Sequence, residues 1–302
     1  MGSLTPPIVD VVDVSDGERL LVGEWPGADP PLVFAPGLTS THRNIAGVAA
    51  ALDGELRVIS FDCRGRGCST TPKPDAYGME RHGRDMLDVM DALGVERAIV
   101  TGHSMGAYVA TAAAVAAPER GVGLALLDGG VFVSPPGLED VDPDLLLETM
   151  LKPAIDRLRT TYATIDDYFA FWKTSDYTGA GDWGPILEQY ALYDLGLTPD
   201  GYRPKCDPDA ASADWRDILT NPATRARLDE IRCPVMAVGA AFGLTRDGIQ
   251  VLSDVHLDAL REAVGDFDFT RVPDTTHHTV TLTERGARAT AEALVSFAAK
   301  LR

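Results

Sequence analysis

The feature that most constrains this chain is an apolar run that stops at Gly102 and continues as Gly-His-Ser-Met-Gly, residues 102–106. An Ala-rich stretch follows through Ala117, so the pattern predicts a strand, a sharp turn and a helix. A serine at the apex of such a turn has a strained backbone that lifts its hydroxyl clear of the sheet, and a Cβ at either glycine would clash. Ser104 is therefore a candidate nucleophile. A plain Gly/Ser turn between strand and helix is the alternative interpretation.

The rest of the chain repeats the alternation of strand and helix. Two apolar segments joined at Ser15-Asp16-Gly17 predict an opening hairpin. Further short apolar runs alternate with stretches of helical spacing, which predicts an α/β fold with a mostly parallel sheet and helices on both faces. The predicted strands are residues 8–14, 19–25, 31–35, 56–61, 98–101, 121–127, 234–238 and 267–272.

The alternation stops between residues 134 and 216, where three of the four tryptophans and six of the eight tyrosines collect. This segment predicts a helical cap, with helices at 145–160, 165–174 and 184–195, inserted into a core formed by residues 1–133 and 217–302. We expect the cap to cover the carboxyl edge of the sheet, where open α/β sheets bind ligands. Aromatic side chains of the cap and its neighbouring loops are the predicted substrate contacts, each with the cap's own core as the alternative role: Phe132, Tyr168, Trp172, Trp183 and Phe242.

Composition excludes several partners and places the protein in the cytoplasm. A net charge of −18 argues against nucleic acid or an anionic membrane as a partner, because both would need clustered basic residues. No signal peptide, lipid anchor or run of 18 apolar residues is recognisable. Four cysteines without a paired Cys-x-x-Cys predict free thiols in a reducing cytoplasm. They are Cys63, Cys68, Cys206 and Cys233.

Two motifs that suggest cofactors fail their structural tests. Residues 179–184 match Gly-x-Gly-x-x-Gly, but no strand precedes them, so a dinucleotide site is not expected. Residues 140–144 carry alternate aspartates as a calcium loop does, yet Leu145 replaces the required glycine. We therefore predict no cofactor and no metal.

A serine hydroxyl is a poor nucleophile until a base removes its proton, and that base must be held by a carboxylate. His277 and His278 follow the predicted strand 267–272, on a loop just before the final helix. His103 adjoins the nucleophile and is expected to point elsewhere. The other three histidines lie in predicted helices: His42, His82 and His256.

The opening hairpin, the Asp-x-Arg-Gly-x-Gly-x-Ser loop at residues 62–69, the serine pentad and the late-loop histidine together resemble the α/β-hydrolase family over nearly the whole chain. The resemblance implies an eight-stranded sheet and His277 as the base, with His278 as the runner-up. It also implies an oxyanion hole formed by the backbone amides of Leu38 and Met105.

The chain departs from the family pattern at the acid. The usual position is occupied by Phe242, which cannot orient a histidine. Asp247, later on the same loop, is one substitute. Asp128, at the tip of strand 121–127, is the other, and some dehalogenases and lactonases place the acid there. We favour Asp128, because a carboxylate at a strand tip is better fixed than one on a long loop. Its alternative role is a turn cap.

These residues predict a cofactor-free serine hydrolase that cleaves a small apolar ester or lactone through an acyl-enzyme. Carbon-carbon bond hydrolysis and cofactor-free haloperoxidase activity use the same triad and stay open, as does a non-catalytic ligand-binding protein on this scaffold. Haloalkane dehalogenase and epoxide hydrolase chemistry is excluded, since relatives with those activities carry an aspartate at the nucleophile position. The oligomeric state is left open, a homodimer being one option.

Overall fold

A computed structural model describes residues 4–71, 76–133, 142–178, 181–225 and 227–302. Within them the chain builds an eight-stranded sheet in the order β1-β2-β4-β3-β5-β6-β9-β10, together with a separate hairpin, β7-β8. The first two pairings, β1 with β2 and β2 with β4, are antiparallel, and the others are parallel. The strands are Ile8–Asp13 (β1), Arg19–Trp25 (β2), Leu32–Ala35 (β3), Val58–Phe61 (β4), Ala98–His103 (β5), Gly121–Leu127 (β6), Leu195–Thr198 (β7), Gly201–Pro204 (β8), Val235–Ala240 (β9) and Asp268–Val272 (β10).

Helices cover both faces of this sheet, which is why central strands such as β5 and β9 are buried along their whole length. One apolar layer lies under α2, α3 and α9, and the other under α1 and α11. The helices are Ala46–Leu52 (α1), Met79–Ala92 (α2), Met105–Ala116 (α3), Pro143–Arg159 (α4), Ile165–Thr174 (α5), Pro185–Asp194 (α6), Pro208–Thr220 (α7), Pro222–Arg225 (α8), Asp254–Val264 (α9), Thr279–Leu282 (α10) and Glu284–Lys300 (α11), with 3₁₀ turns at His42–Ile45 and Arg227–Glu230. The predicted α/β class and eight-stranded sheet are confirmed.

The segment between β6 and β9 contains helices α4 to α8 and the hairpin β7-β8. Sequence analysis did not predict that hairpin. Its strands are four residues each and only partly buried, and strands of this kind show no clear alternation of apolar residues. The turn between them, Pro199-Asp200-Gly201, is the one signal that the sequence offers. Helix α7 spans residues 208–220 and therefore crosses the boundary predicted at 216/217. Residues 134–141, which open the predicted cap and include Asp140, lie outside the described residues, as do Gly179 and Ala180.

The turn between β5 and α3 leaves no room for side chains at its two glycines. A Cβ on Gly102 would lie 2.0 Å from the Gly106 carbonyl oxygen, and one on Gly106 would lie 1.9 Å from the Ala35 carbonyl oxygen. These neighbours are backbone atoms, which cannot move aside as a flexible side chain can. The requirement for glycine expected from the sequence therefore has a direct steric cause.

We predict that Gly102→Ala lowers the free energy of unfolding by more than about 3 kcal/mol, because strand and helix must separate to admit one methyl group. Gly121→Ala is the matched control in β6, since its Cβ would lie 3.7 Å from the nearest atom, Cys233 Sγ. The control should change stability by less than about 1 kcal/mol. Urea denaturation measures both, and equal losses would contradict the steric account.

Candidate active site

Ser104 occupies the turn between β5 and α3 with φ 57° and ψ −121°, a conformation that L-residues rarely adopt. Its amide donates to the Leu127 carbonyl at 3.0 Å, and its own carbonyl accepts from the Ala107 amide at 3.1 Å. These bonds hold the strained residue from both sides. The side chain is partly exposed, so the hydroxyl is open to a substrate.

A buried carboxylate and a histidine are joined beside this turn. Asp128 Oδ2 lies 2.7 Å from His277 Nδ1, and neither side chain has more than 4% of its surface exposed. The other oxygen of Asp128 accepts from the Ala240 amide at 3.0 Å, and the Asp128 amide donates to the Val238 carbonyl at 2.7 Å. The carboxylate is thus fixed between the ends of β6 and β9. Of the two acids left open by the sequence, this one reaches His277.

Asp247 is exposed on the loop after β9. That loop does reach the histidine, because the His277 amide donates to the Gly243 carbonyl at 2.9 Å and the Phe242 amide donates to the Thr275 carbonyl at 3.0 Å. These contacts are made by the backbone. Nδ1 of His277 is bonded to Asp128, and among the described residues no hydrogen bond joins Asp247 to the imidazole.

The serine lies next to this pair. A Cβ on Gly129 would be 2.7 Å from Ser104 Cα, so the residue after Asp128 packs against the turn. His103 Nε2 donates to the His277 carbonyl at 2.8 Å, and the two rings are 4.5 Å apart. Among the described residues no hydrogen bond joins the Ser104 hydroxyl to His277; such bonds are often long in unliganded enzymes and tighten when substrate binds.

The backbone amides expected to form an oxyanion hole also meet here. Leu38 follows β3, and a Cβ on Gly37 would lie 3.3 Å from Ser104 Cβ, so this loop packs on the serine. Met105 is the first residue of α3. Its amide is one of the N-terminal donors for which a helix has no internal acceptor. Both amides therefore come from backbone next to Ser104.

Two of the predicted aromatic contacts lie in an apolar cluster formed by α5, α6 and α10. Tyr168 is wholly buried, and its hydroxyl bonds to Asp194 and accepts from Arg157 at 2.6 Å. Trp172 is 2% exposed and packs edge-on to His278, with 6.2 Å between ring centroids. For Tyr168 this is the alternative role that sequence analysis left open.

The other three predicted contacts are partly buried, and each lies under a cation. Lys173 Nζ is 4.9 Å from the Trp183 ring, the Arg246 guanidinium is 5.2 Å from the Phe242 ring, and the Arg225 guanidinium is 4.1 Å from the Phe132 ring. Phe242 adjoins the histidine loop through its backbone.

His103 has a role that sequence analysis did not assign, since its ring packs on His277 instead of pointing elsewhere. Burial, with a smaller contribution from His277, lowers the pKa of His103 to about 3. Burial and the same neighbour hold the pKa of His278 well below its usual range. Both rings are therefore neutral near pH 7. His277 is the member of this histidine cluster that is bonded to a carboxylate.

Comparison with known proteins gives the family. Residues 30–179 match the model of the alpha/beta hydrolase fold. The chain is 34% identical over 212 residues to a protein of Caulobacter sp. (strain K31) named as a carbamate hydrolase, RutD, covering 70% of this chain and 72% of that protein. The chain belongs to the α/β-hydrolase fold family.

Other relatives of this hydrolase match shorter stretches. A 2-hydroxy-6-oxononadienedioate/2-hydroxy-6-oxononatrienedioate hydrolase of Paraburkholderia phymatum is 37% identical over 121 residues, which is 39% of this chain and 38% of that protein. The match to the RutD of Klebsiella pneumoniae (strain 342) likewise spans only 41% of its length. The crystal structure of E-2-(acetamidomethylene)succinate hydrolase superposes with a TM-score of 0.78 over 96% of this chain and 98% of that one, at 20% identity. At that identity the likeness concerns the fold alone.

The described residues contain no group of three or more His, Cys, Asp or Glu side chains placed to hold a metal ion. No helix in the same part of the chain is long and apolar enough to cross a membrane.

We predict that acid destabilises this α/β hydrolase partly through His103. Its folded pKa of about 3 lies below the usual imidazole value, so between pH 6.5 and 3 the unfolded chain binds one more proton than the folded one. Stability must therefore fall as the pH drops through that range. Between pH 6 and 5, the free energy of unfolding of His103→Asn should fall less than that of wild type, the difference being about 1 kcal/mol per pH unit. The measurement is urea denaturation of wild type and variant at pH 6 and at pH 5. If the free energy of unfolding changes equally with pH in both proteins, this role of His103 is contradicted.

Proposed function

We propose that this chain is a serine hydrolase in which Ser104 is the nucleophile, His277 the base and Asp128 the acid that orients His277. The observation that carries the proposal is the buried 2.7 Å bond between His277 Nδ1 and Asp128 Oδ2, next to a strained serine turn. In a neutral imidazole, an Nδ1 that donates to a carboxylate leaves Nε2 without a proton, and this is the tautomer that a general base requires.

The reaction follows from these positions. His277 Nε2 takes the Ser104 proton as Oγ attacks the substrate carbonyl, and the charge that develops on the carbonyl oxygen is stabilised by the amides of Leu38 and Met105. Collapse of the tetrahedral intermediate breaks the bond to the leaving group, which receives the proton from His277. Water then attacks the acyl-enzyme, giving its proton to His277. The second tetrahedral intermediate collapses as the bond to Ser104 Oγ breaks, His277 returns the proton to that oxygen, and the acid product leaves. Asp128 stabilises the imidazolium in both halves and is not itself protonated.

We propose a small apolar ester or lactone as the substrate. Phe132, Trp183 and Phe242, each partly exposed, are the proposed apolar contacts, whereas the buried Tyr168 and Trp172 are proposed as the framework of the cap. No step above requires a cofactor, since serine, imidazole and carboxylate supply the nucleophile and the proton transfers.

A carbamate is the second candidate, because the relative matched over 72% of its length is named as a carbamate hydrolase. A carbamate carbonyl passes through the same kind of tetrahedral intermediate, so the same residues would act on it. Carbon-carbon cleavage is a further outcome that the test distinguishes, and the relative from Paraburkholderia phymatum is named as a hydrolase of 2-hydroxy-6-oxononadienedioate.

The test measures the turnover of a panel of substrates by wild-type protein and by the variant Ser104→Ala. The panel holds p-nitrophenyl esters of graded chain length, γ- and δ-lactones, aryl carbamates and a 2-hydroxy-6-oxo-dienoate. We expect wild-type protein to hydrolyse a short ester or lactone, and Ser104→Ala to lose at least a thousandfold in kcat, about the loss seen when a triad member is removed. Ser296→Ala, an exposed serine on α11, is the control and should retain full activity.

The outcomes separate the proposals. Activity of Ser104→Ala within about tenfold of wild type would contradict the serine mechanism. Turnover of the carbamates or of the dienoate alone would retain the triad and replace the ester assignment. A fluorophosphonate that fails to label wild-type protein, together with no turnover anywhere in the panel, would favour a ligand-binding protein.

A further inference from the structure

Arg66 makes a set of contacts that the proposed mechanism does not use. It lies on the loop after β4, and its side chain is wholly buried. Nε donates to the Leu38 carbonyl at 3.0 Å, and Nη2 lies 4.0 Å from Met105 Sδ. Nη1 donates to the Arg64 carbonyl at 2.7 Å. One guanidinium thus touches both residues whose amides form the proposed oxyanion hole.

These contacts restrict the direction of the Leu38 amide. The Gly37 carbonyl accepts from the Ser40 amide at 3.0 Å, and the Leu38 carbonyl accepts from Arg66. In a trans peptide the N–H points opposite to the carbonyl of the preceding residue. The bond from Ser40 therefore keeps the Leu38 N–H pointing away from the Ser40 amide. The bond from Arg66 holds the following peptide, so rotation of the Leu38 backbone is limited from both sides. An amide held in one direction is what an oxyanion hole needs, because it costs no reorganisation during reaction.

The guanidinium is itself held by the cap. Nη1 of Arg66 lies 2.7 Å from Oδ2 of Asp214, a wholly buried residue of α7. Asp214 also accepts from His82 Nε2 at 2.9 Å and from the Gly78 amide at 2.8 Å. Burial alone would raise the pKa of the Asp214 carboxyl, but His82 and Arg66 offset this and bring it to about 2. The carboxylate is therefore charged at neutral pH and fixed from three directions.

We propose that Arg66 is a positioning residue for the oxyanion hole, held in place by Asp214 of the cap helix α7. The inference rests on the proposed serine hydrolase function. Through this pair, α7 holds the Leu38 carbonyl and so limits rotation of the backbone that carries the Leu38 amide. The competing interpretation is a buried ion pair that stabilises the fold and has no effect on the chemistry.

The two interpretations differ in kinetics. An oxyanion hole binds the transition state better than the substrate, so its loss lowers kcat and leaves KM nearly unchanged. A purely structural pair changes the fraction of folded protein, while each folded molecule retains its kcat. Kinetics normalised to the number of active serines, counted by end-point fluorophosphonate labelling, therefore distinguish them.

The main variant is the double substitution Arg66→Met/Asp214→Asn, which avoids leaving one buried charge unpaired. With p-nitrophenyl acetate we expect kcat per active serine to fall about a hundredfold, the loss typical of removing one oxyanion donor, with KM within about threefold of wild type. Arg66→Lys retains the charge but cannot bond Leu38 and Asp214 at once, so its kcat should fall about tenfold or more. This second variant serves if the double variant does not fold.

The loop offers a matched control. Arg64 is equally buried and forms an ion pair with the buried Asp85 at 2.6 Å, yet its side chain bonds to Asp16 and Asp85 and not to the oxyanion loop. Arg64→Met/Asp85→Asn should lower stability and leave kcat per active serine within about threefold of wild type. Arg66 variants with wild-type kcat, or an equal loss of kcat in the control, would overturn the inference. If Ser104→Ala retains wild-type turnover of the same ester, the proposed function has failed instead.

Discussion

The arrangement depends on one buried hydrogen bond, between Asp128 and His277. A carboxylate removed from water is costly unless it is bonded on all sides, and Asp128 meets that requirement with the His277 imidazole and the Ala240 amide. Both partners come from strands or loops at the carboxyl edge of the sheet. The bond therefore forms only when β6 pairs with β9 in the native register and the loop after β10 brings His277 to Asp128.

Two further constraints complete the site at the same edge. The turn at Ser104 is strained, and the absence of side chains at Gly102 and Gly106 lets β5, α3 and β3 approach closely enough to hold it. Arg66 in turn fixes the Leu38 carbonyl, on the loop that packs against Ser104. The proposed nucleophile, base and amide donors are thus each supported by backbone contacts or buried charge, which is how a preorganised site is maintained without ligand.

The sequence predicted much of this and missed particular parts for physical reasons. The turn around Ser104 has a steric signature in its glycines, so it could be recognised directly. Asp128 and Asp247 could not be separated with certainty, because the course of a loop depends on packing that sequence pattern does not encode. Tyr168 is an aromatic residue of the kind that often contacts ligands. In the structure it is buried, and its hydroxyl is bonded to Arg157 and Asp194. The contact of Arg66 with Leu38 joins residues 28 positions apart and leaves no local pattern.

The most direct test of the account compares the two acids with one ester. Asp128→Asn preserves the shape of the site but removes the charge that orients His277 and stabilises its protonated form. We predict that it lowers kcat by about a thousandfold or more with KM little changed, whereas Asp247→Asn, exposed on its loop, costs less than about tenfold. A large loss of kcat in Asp247→Asn, with kcat of Asp128→Asn close to that of wild type, would contradict the central claim. Asp128 would then be only a turn cap.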